Sequence, residues 1–233
     1  MDYPTVCLED REKRNHRMVS LMLGVRDITV CSPDETTDKN RDDPPSIPIF
    51  RLTYEQFGVQ KNWEFVDGKD SFATIVFNTD RHTLVFLRQF CPLTYYAFIP
   101  KMLGRVNTNK YPPTLGITIE LCGDLLLPNE PLLEMARTEL KRDAGYDAPI
   151  KNFEIVQSYR CVTDAPATQT LLYVEVTNDM FVPKEELLEN HIEIFEMNLE
   201  KTKNYISNIG VNSTSSLVHA VLWFLTNKQD RYC

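Results

Sequence analysis

A single helix-patterned stretch interrupts a chain that otherwise reads as strands, and this leaves few folds open. Between Asn129 and Ala144 the residues Leu132, Leu133, Ala136, Leu140 and Ala144 recur at helical spacing, so one stripe of this helix packs against a neighbour. Asn129 predicts the N-cap, Pro131 suits the first turn and Gly145 predicts the stop. Runs rich in β-branched and aromatic residues precede it at 49–57, 62–67, 71–78 and 83–90, and "TLGITIELCGDLL" leads into it. Further strands follow at 153–159, 170–178 and 191–199, then helices at 200–208 and 213–228. Strands on both sides of one helix, closed by a terminal helix, predict an α/β fold with a mixed sheet and helices on its faces.

The first 48 residues differ in kind. "LEDREKRNHRMVSLML" predicts a charged helix ending near Gly24, and "CSPDETTDKNRDDPPSIP" predicts a linker with almost nothing to bury. The expected organisation is an N-terminal arm and linker over 1–48 and one domain over 49–233.

Charge and cysteine placement exclude several functions. A net charge of −8 is wrong for a nucleic-acid backbone as the main partner, although one small phosphate ligand is still allowed. The cysteines form no CxxC pair, so reduced thiols in a cytoplasmic protein are the expectation. No apolar run approaches the length of a membrane span.

The chemistry concentrates on one edge of the central helix. Glu139 and Asp143 are four residues apart, about 40° from each other on a helical wheel. Two such carboxylates repel by a few tenths of a kcal/mol, roughly, and something should neutralise them. A magnesium ion suits hard oxygen ligands. The alternative is Arg142, within reach of Glu139 at i+3.

Set against a known pattern, this stretch resembles the box of the Nudix hydrolases: Gly, five residues, Glu, seven residues, then Arg-Glu-apolar-any-Glu-Glu-any-Gly-apolar. Glu130, Glu139, Leu140, Gly145 and Tyr146 stand at matching positions. "LTYEQFGVQKNWEFVDGKDS", "LVFLRQFCP", "ELCGDLL", "QTLLYVEVTND" and the final helix are similar to the UDP-sugar pyrophosphatase branch, so the resemblance runs from about 49 to 228.

The resemblance implies an α/β/α sandwich around a mixed sheet and a homodimer in which residues 49–70 serve the interface and the nucleotide site. It implies hydrolysis of a UDP-sugar to UMP and a sugar 1-phosphate, with Mg2+ held by Glu139 and Asp143 beside Gly123, and with Glu130 and Glu120 in support. Trp63 could stack on uracil together with Phe65, or both could simply pack. Arg88 and Arg105 are candidates to grip substrate. Asp164 is a candidate general base or, alternatively, a turn stabiliser before Pro166.

Four positions break the pattern. Asp124 stands where the box opens on glycine, Thr138 replaces the arginine before Glu139, Arg142 replaces a glutamate, and Cys91 stands where a phosphate-gripping arginine is common. Arg142 matters most. A guanidinium about 6 Å from a divalent ion costs roughly 1–5 kcal/mol at effective dielectrics between about 80 and 20. The expectation is therefore a nucleotide-sugar hydrolase with weakened turnover. The alternative is a catalytically inactive module that binds a nucleotide or a protein.

Overall fold

Strand β4 (Ser71–Asn78) is buried on both faces, and its alternating side chains define the two layers around it. Phe72 and Val76 point into one core, whereas Ala73, Ile75 and Phe77 point into another. The computed structural model describes residues 25–30, 49–101, 103–161, 165–182, 192–208 and 210–232. The arm and linker expected over 1–48 therefore lie almost wholly outside the described residues.

Among the described residues the main sheet has seven strands. β5 (Thr83–Phe90) meets β4 antiparallel only at Val76–Asn78, and then the two diverge. β7 (Ile117–Glu120) and β8 (Cys122–Leu125) fill the gap, β7 on β5 and β8 on β4. On the other side of β4 runs β10 (Ala167–Val176), parallel to it, followed by β9 (Phe153–Cys161) antiparallel to β10. β11 (Glu193–Asn198) closes the far edge on β5. One parallel pair among antiparallel ones makes the sheet mixed, as expected.

Helices cover both faces. Helix α2 (Leu132–Glu139) lays Met135 and Ala136 on the face of Phe72, Val76, Leu172 and Val174. Helix α3 (Leu199–Ile206) and helix α4 (Ser215–Asn227) cover the opposite face, where Leu217, Ala220, Val221 and Phe224 meet Ile75, Phe77 and Tyr173. This is the α/β/α sandwich. A short helix α1 (Pro92–Phe98), which the sequence patterning did not reveal, forms a small satellite core around Tyr95, Ile99 and Val106. It packs near a two-stranded ladder of β1 (Thr29–Val30) and β6 (Gly104–Arg105).

The central helix departs from expectation at both ends. Asn129 is not its N-cap: it has φ 68°, and the helix starts only at Leu132 with Pro131 as the cap residue. The proline ring disfavours helical backbone at the residue before it, which delays the start. At the other end Leu140–Ala144 form a π-helical turn, and Gly145 N–H bonds back to Leu140 O. Gly145 has φ 73° and ends the helix as expected.

β2 (Ile49–Gln56) and β3 (Val59–Val66) form a hairpin that pairs with no other described strand. Its turn, Phe57–Gly58, has φ 54° and 75°, the positive pair that a tight two-residue connection favours. Residues directly opposite in an antiparallel ladder share a face. One face thus carries Phe50, Leu52, Tyr54, Val59, Trp63 and Phe65 together with Gln56 and Lys61, and the other carries Arg51, Thr53, Glu55, Gln60, Asn62 and Glu64 with Ile49 and Val66 at its open end. Among the described residues no helix is long and apolar enough to cross a membrane.

Candidate active site

Two elements converge on one guanidinium. β8 brings Gly123 and Asp124 alongside β4, with Gly123 opposite Ala73. A Cβ at Gly123 would lie 2.2 Å from the Phe72 carbonyl oxygen, so no larger residue fits there without moving the strand. Asp124 Oδ1 accepts from the Leu125 amide at 2.7 Å. The C-terminal turns of α2 bring Glu139 and Asp143, only 7% and 4% exposed.

Arg142 lies on the solvent side of these acids. Its Nε donates to Asp143 Oδ1 at 2.8 Å and its Nη2 to Asp143 Oδ2 at 3.3 Å. The same Nη2 forms an ion pair with Glu139 Oε2, outside hydrogen-bond alignment, and lies 3.7 Å from Asp124 Oδ2. Three carboxylates thus share one positive charge. Burial pushes the Glu139 carboxyl up to about 7, against the pull of Arg142, with Asp143 and Asp124 adding to the rise. The hydrogen bond to Asp143 leads the effects that hold the Arg142 guanidinium more firmly protonated than usual. Beneath them Cys122 is fully buried, and burial followed by Asp143 and Glu139 raises its thiol well above the ordinary value. It is an inert core thiol.

The acids expected to hold magnesium do not form an open cage. Among the described residues no group of three or more His, Cys, Asp and Glu is arranged to take a metal ion. The Glu139 and Asp143 oxygens turn toward Arg142 instead. A divalent ion would have to displace a charged group held by three carboxylates, so this donor set, as arranged, does not fit a resident metal.

The remaining expected residues are dispersed. Thr138 bonds its hydroxyl to Glu134 O at 2.9 Å within the helix and orients no acid. Among the described residues Glu130 makes only a backbone turn contact, through its amide to Leu127 O. Leu140 is fully buried in the core below the helix. Glu120 accepts from Gln89 Nε2 at 2.8 Å and from Thr118, and it shares with Asp124, Gln169, Thr214 and Ser216 a shallow cleft of about 230 Å³.

The arginines proposed for substrate are engaged elsewhere. Arg88 is buried and bidentate to Glu193, at 2.9 Å from Nε and 2.6 Å from Nη2, with Phe195 stacked at 4.7 Å. A phosphate would have to compete with that carboxylate. Arg105 is exposed on β6 and pairs with Asp27. Cys91 precedes α1, and its amide bonds to Gly116 O at 2.7 Å. Trp63 lies exposed on the hairpin, where with Arg51, Asn62 and Glu64 it lines an open depression. Asp164 lies outside the described residues.

Two partnerships lie outside the sequence expectations. Asp124 stands in the sequence only as a departure from a motif, yet the sheet carries it to 3.7 Å from Arg142 beside the helix acids. Asp147, just past the helix, receives Arg137 at 2.8 Å and Lys141 at 2.6 Å, which fixes the exit of the chain. Charged residues one helical turn apart, followed by an acid, were the available signal.

No family model matches this sequence. It is 30% identical over 198 residues to a mouse (Mus musculus) uridine diphosphate glucose pyrophosphatase, NUDT14, covering 78% of this chain and 89% of that protein. It is 29% identical over 199 residues to the cattle (Bos taurus) protein of the same name, with the same coverage. Among solved structures it is similar to one described as an ADP compounds hydrolase, with a TM-score of 0.53 and 12% identity, covering 88% of this chain and 95% of that one. The last likeness speaks for the fold alone.

Proposed function

The chain belongs to the Nudix hydrolase family, in its UDP-sugar pyrophosphatase branch, and from that premise we propose that it acts on a nucleoside diphosphate sugar with weakened turnover. The reaction is addition of water across the diphosphate of a UDP-sugar, releasing UMP and a sugar 1-phosphate. The observation that carries this reading is the 30% identity along 89% of a relative named for that activity.

Electrostatics support the weakening. In this family a bound divalent ion neutralises charge that builds on the phosphoryl oxygens, an effect worth several kcal/mol. Here Arg142 supplies a single charge in that neighbourhood and shares it among three acids. A guanidinium can itself stabilise phosphoryl charge, so activity need not vanish. A shortfall of about 4 kcal/mol would slow turnover by roughly three decades. No step through a metal is assigned to these residues. Glu139 and Asp164 are the proposed acid–base residues.

The hairpin supports a homodimer. A two-stranded ribbon is marginal alone, and the exposed apolar residues Phe50, Leu52, Tyr54, Val59 and Trp63, bordered near the turn by the hydrogen-bonded Gln56 and Lys61, have the character of a surface that a second copy covers. In that arrangement Trp63 is the proposed uracil-stacking residue.

The full chain, incubated with UDP-glucose and with ADP-ribose, with and without MgCl2, tests the proposal through UMP and AMP release. Slow UMP release that Glu139→Gln abolishes is the expected outcome. A second reading, a non-catalytic nucleotide-sugar-binding module, is favoured by the three-way engagement of Arg142. It predicts UDP-glucose binding with no UMP release. Absence of both sinks the nucleotide-sugar reading.

A further inference from the structure

The arrangement around Arg142 bears on more than rate. Glu139 and Asp143 are buried while the Arg142 side chain remains 46% exposed, so the guanidinium stands between the acids and the solvent from which an ion would arrive. It is anchored from the helix by Glu139 and Asp143 and approached from the sheet by Asp124, hence it is not a loose surface side chain. Its planar fork matches carboxylate geometry, and it cannot be deprotonated to clear the way. If it swung outward, the two buried acids would face each other without a cation.

From this we infer that Arg142 is the resident cation of the site: its guanidinium takes the place of the divalent metal, and the free chain does not bind Mg2+ or Mn2+ there. The inference rests on the reading of Glu139 and Asp143 as the family's metal-side acids, and it goes beyond that reading by making the site independent of metal. It also explains the substitution at Arg142. A glutamate there would leave four acids with no internal counter-charge, which only an external cation could satisfy. The arginine supplies that counter-charge from within the chain.

The probe is the metal alone. Thermal unfolding and calorimetric titration of the full chain, with MgCl2 or MnCl2 against NaCl of equal ionic strength, are compared for the native protein, Arg142→Glu and Arg142→Gln. For the native protein, ~10 mM of either ion shifts Tm by less than about 1 °C and gives no saturable heat. For Arg142→Glu, ~10 mM Mn2+ raises Tm by several degrees, and the titration saturates with Kd below about 1 mM. Arg142→Gln gains a smaller shift of the same sign, and it carries the test if the glutamate variant does not fold. Saturable binding to the native protein as tight as to Arg142→Glu overturns the inference, as does a lack of gain in both variants. A parallel titration of the native protein with UDP-glucose in EDTA separates the two proposals. Failure to bind UDP-glucose in EDTA or with metal counts against the nucleotide-sugar reading, while the metal arm still decides the role of Arg142.

Discussion

Arg142 donates its Nε to Asp143, its immediate neighbour in sequence, at 2.8 Å. In a regular helix adjacent residues diverge by about 100° and do not face each other. The pair lies within the π-helical turn at Leu140–Ala144, whose longer hydrogen-bonded ring advances less per residue and brings neighbouring side chains closer together. Removing the cation should therefore cost stability. Arg142→Ala is expected to destabilise the fold by about 2 kcal/mol in urea unfolding, below the figure for a fully buried pair because Arg142 is half-exposed. An unchanged midpoint would show that the acids are not relying on it.

Arg88 and Glu193 join β5 to the edge strand β11. Breaking a buried pair leaves a charge without its partner, so Arg88→Ala is expected to cost about 3 kcal/mol. Arg88→Met, which keeps volume over Phe195, should cost less. Hydrogen exchange would localise the loss to Glu193–Asn198. Arg81 pairs in the same way with Glu196 further along that edge strand.

Asp147 gives the fold a dependence on acid. Hydrogen bonds from Lys141 and then Arg137 hold its carboxyl below the ordinary value of 3.8. A depressed folded pKa contributes stability that is present above the unfolded value and lost as pH falls through the folded one. Asp147→Asn should thus be destabilised relative to the native protein at neutral pH. The gap in chemical-denaturation midpoints should close as pH drops below about 4. A gap of equal size at low pH would contradict the ion-pair account.

Gly123 permits two strands to approach. Gly123→Ala would force a methyl group against the Phe72 carbonyl and push β8 off β4. The expected loss is about 3 kcal/mol, at the upper end for overpacking. Because Asp124 is the next residue, the same substitution should weaken the Arg142 cluster, and nuclear magnetic resonance of the guanidinium Nε–H would report it.

The hairpin predicts assembly. Sedimentation of the native chain should give a dimer at micromolar concentration, and Leu52→Glu should give a folded monomer. A native chain that sediments as a monomer at that concentration would remove the proposed interface.

Much of this architecture was legible because strand pattern and burial agree. Ser71–Asn78 and Thr83–Phe90 are β-branched and aromatic runs bounded by a polar turn, and the structure places both strands over those same residues. The stripe of Ala136, Leu140 and Ala144 faces the core as its spacing demands. Helix α1 escaped because "PLTYYAF" is too short for helical periodicity to rise above an apolar strand run. The π turn escaped because no residue type announces it. At the site, the Arg142–Glu139 pairing could be anticipated from i+3 spacing. The approach of Asp124 could not, since it depends on where the sheet sets β8 against the helix. Arg88 and Glu193, 105 residues apart, meet only through strand order.

The parallel contact of β4 with β10 has a consequence for biosynthesis. Ser71 pairs in register with Gln169, 98 positions later. Closing a chain segment that long costs about 4 kcal/mol of entropy before any ladder bond repays it. The emerging polypeptide therefore cannot complete its central sheet until β10 has cleared the ribosome, and the face of β4 that Ser215–Asn227 later covers waits longer still. Completion of the central layer is thus a late event in translation, set by the distance in sequence between two strands that lie side by side.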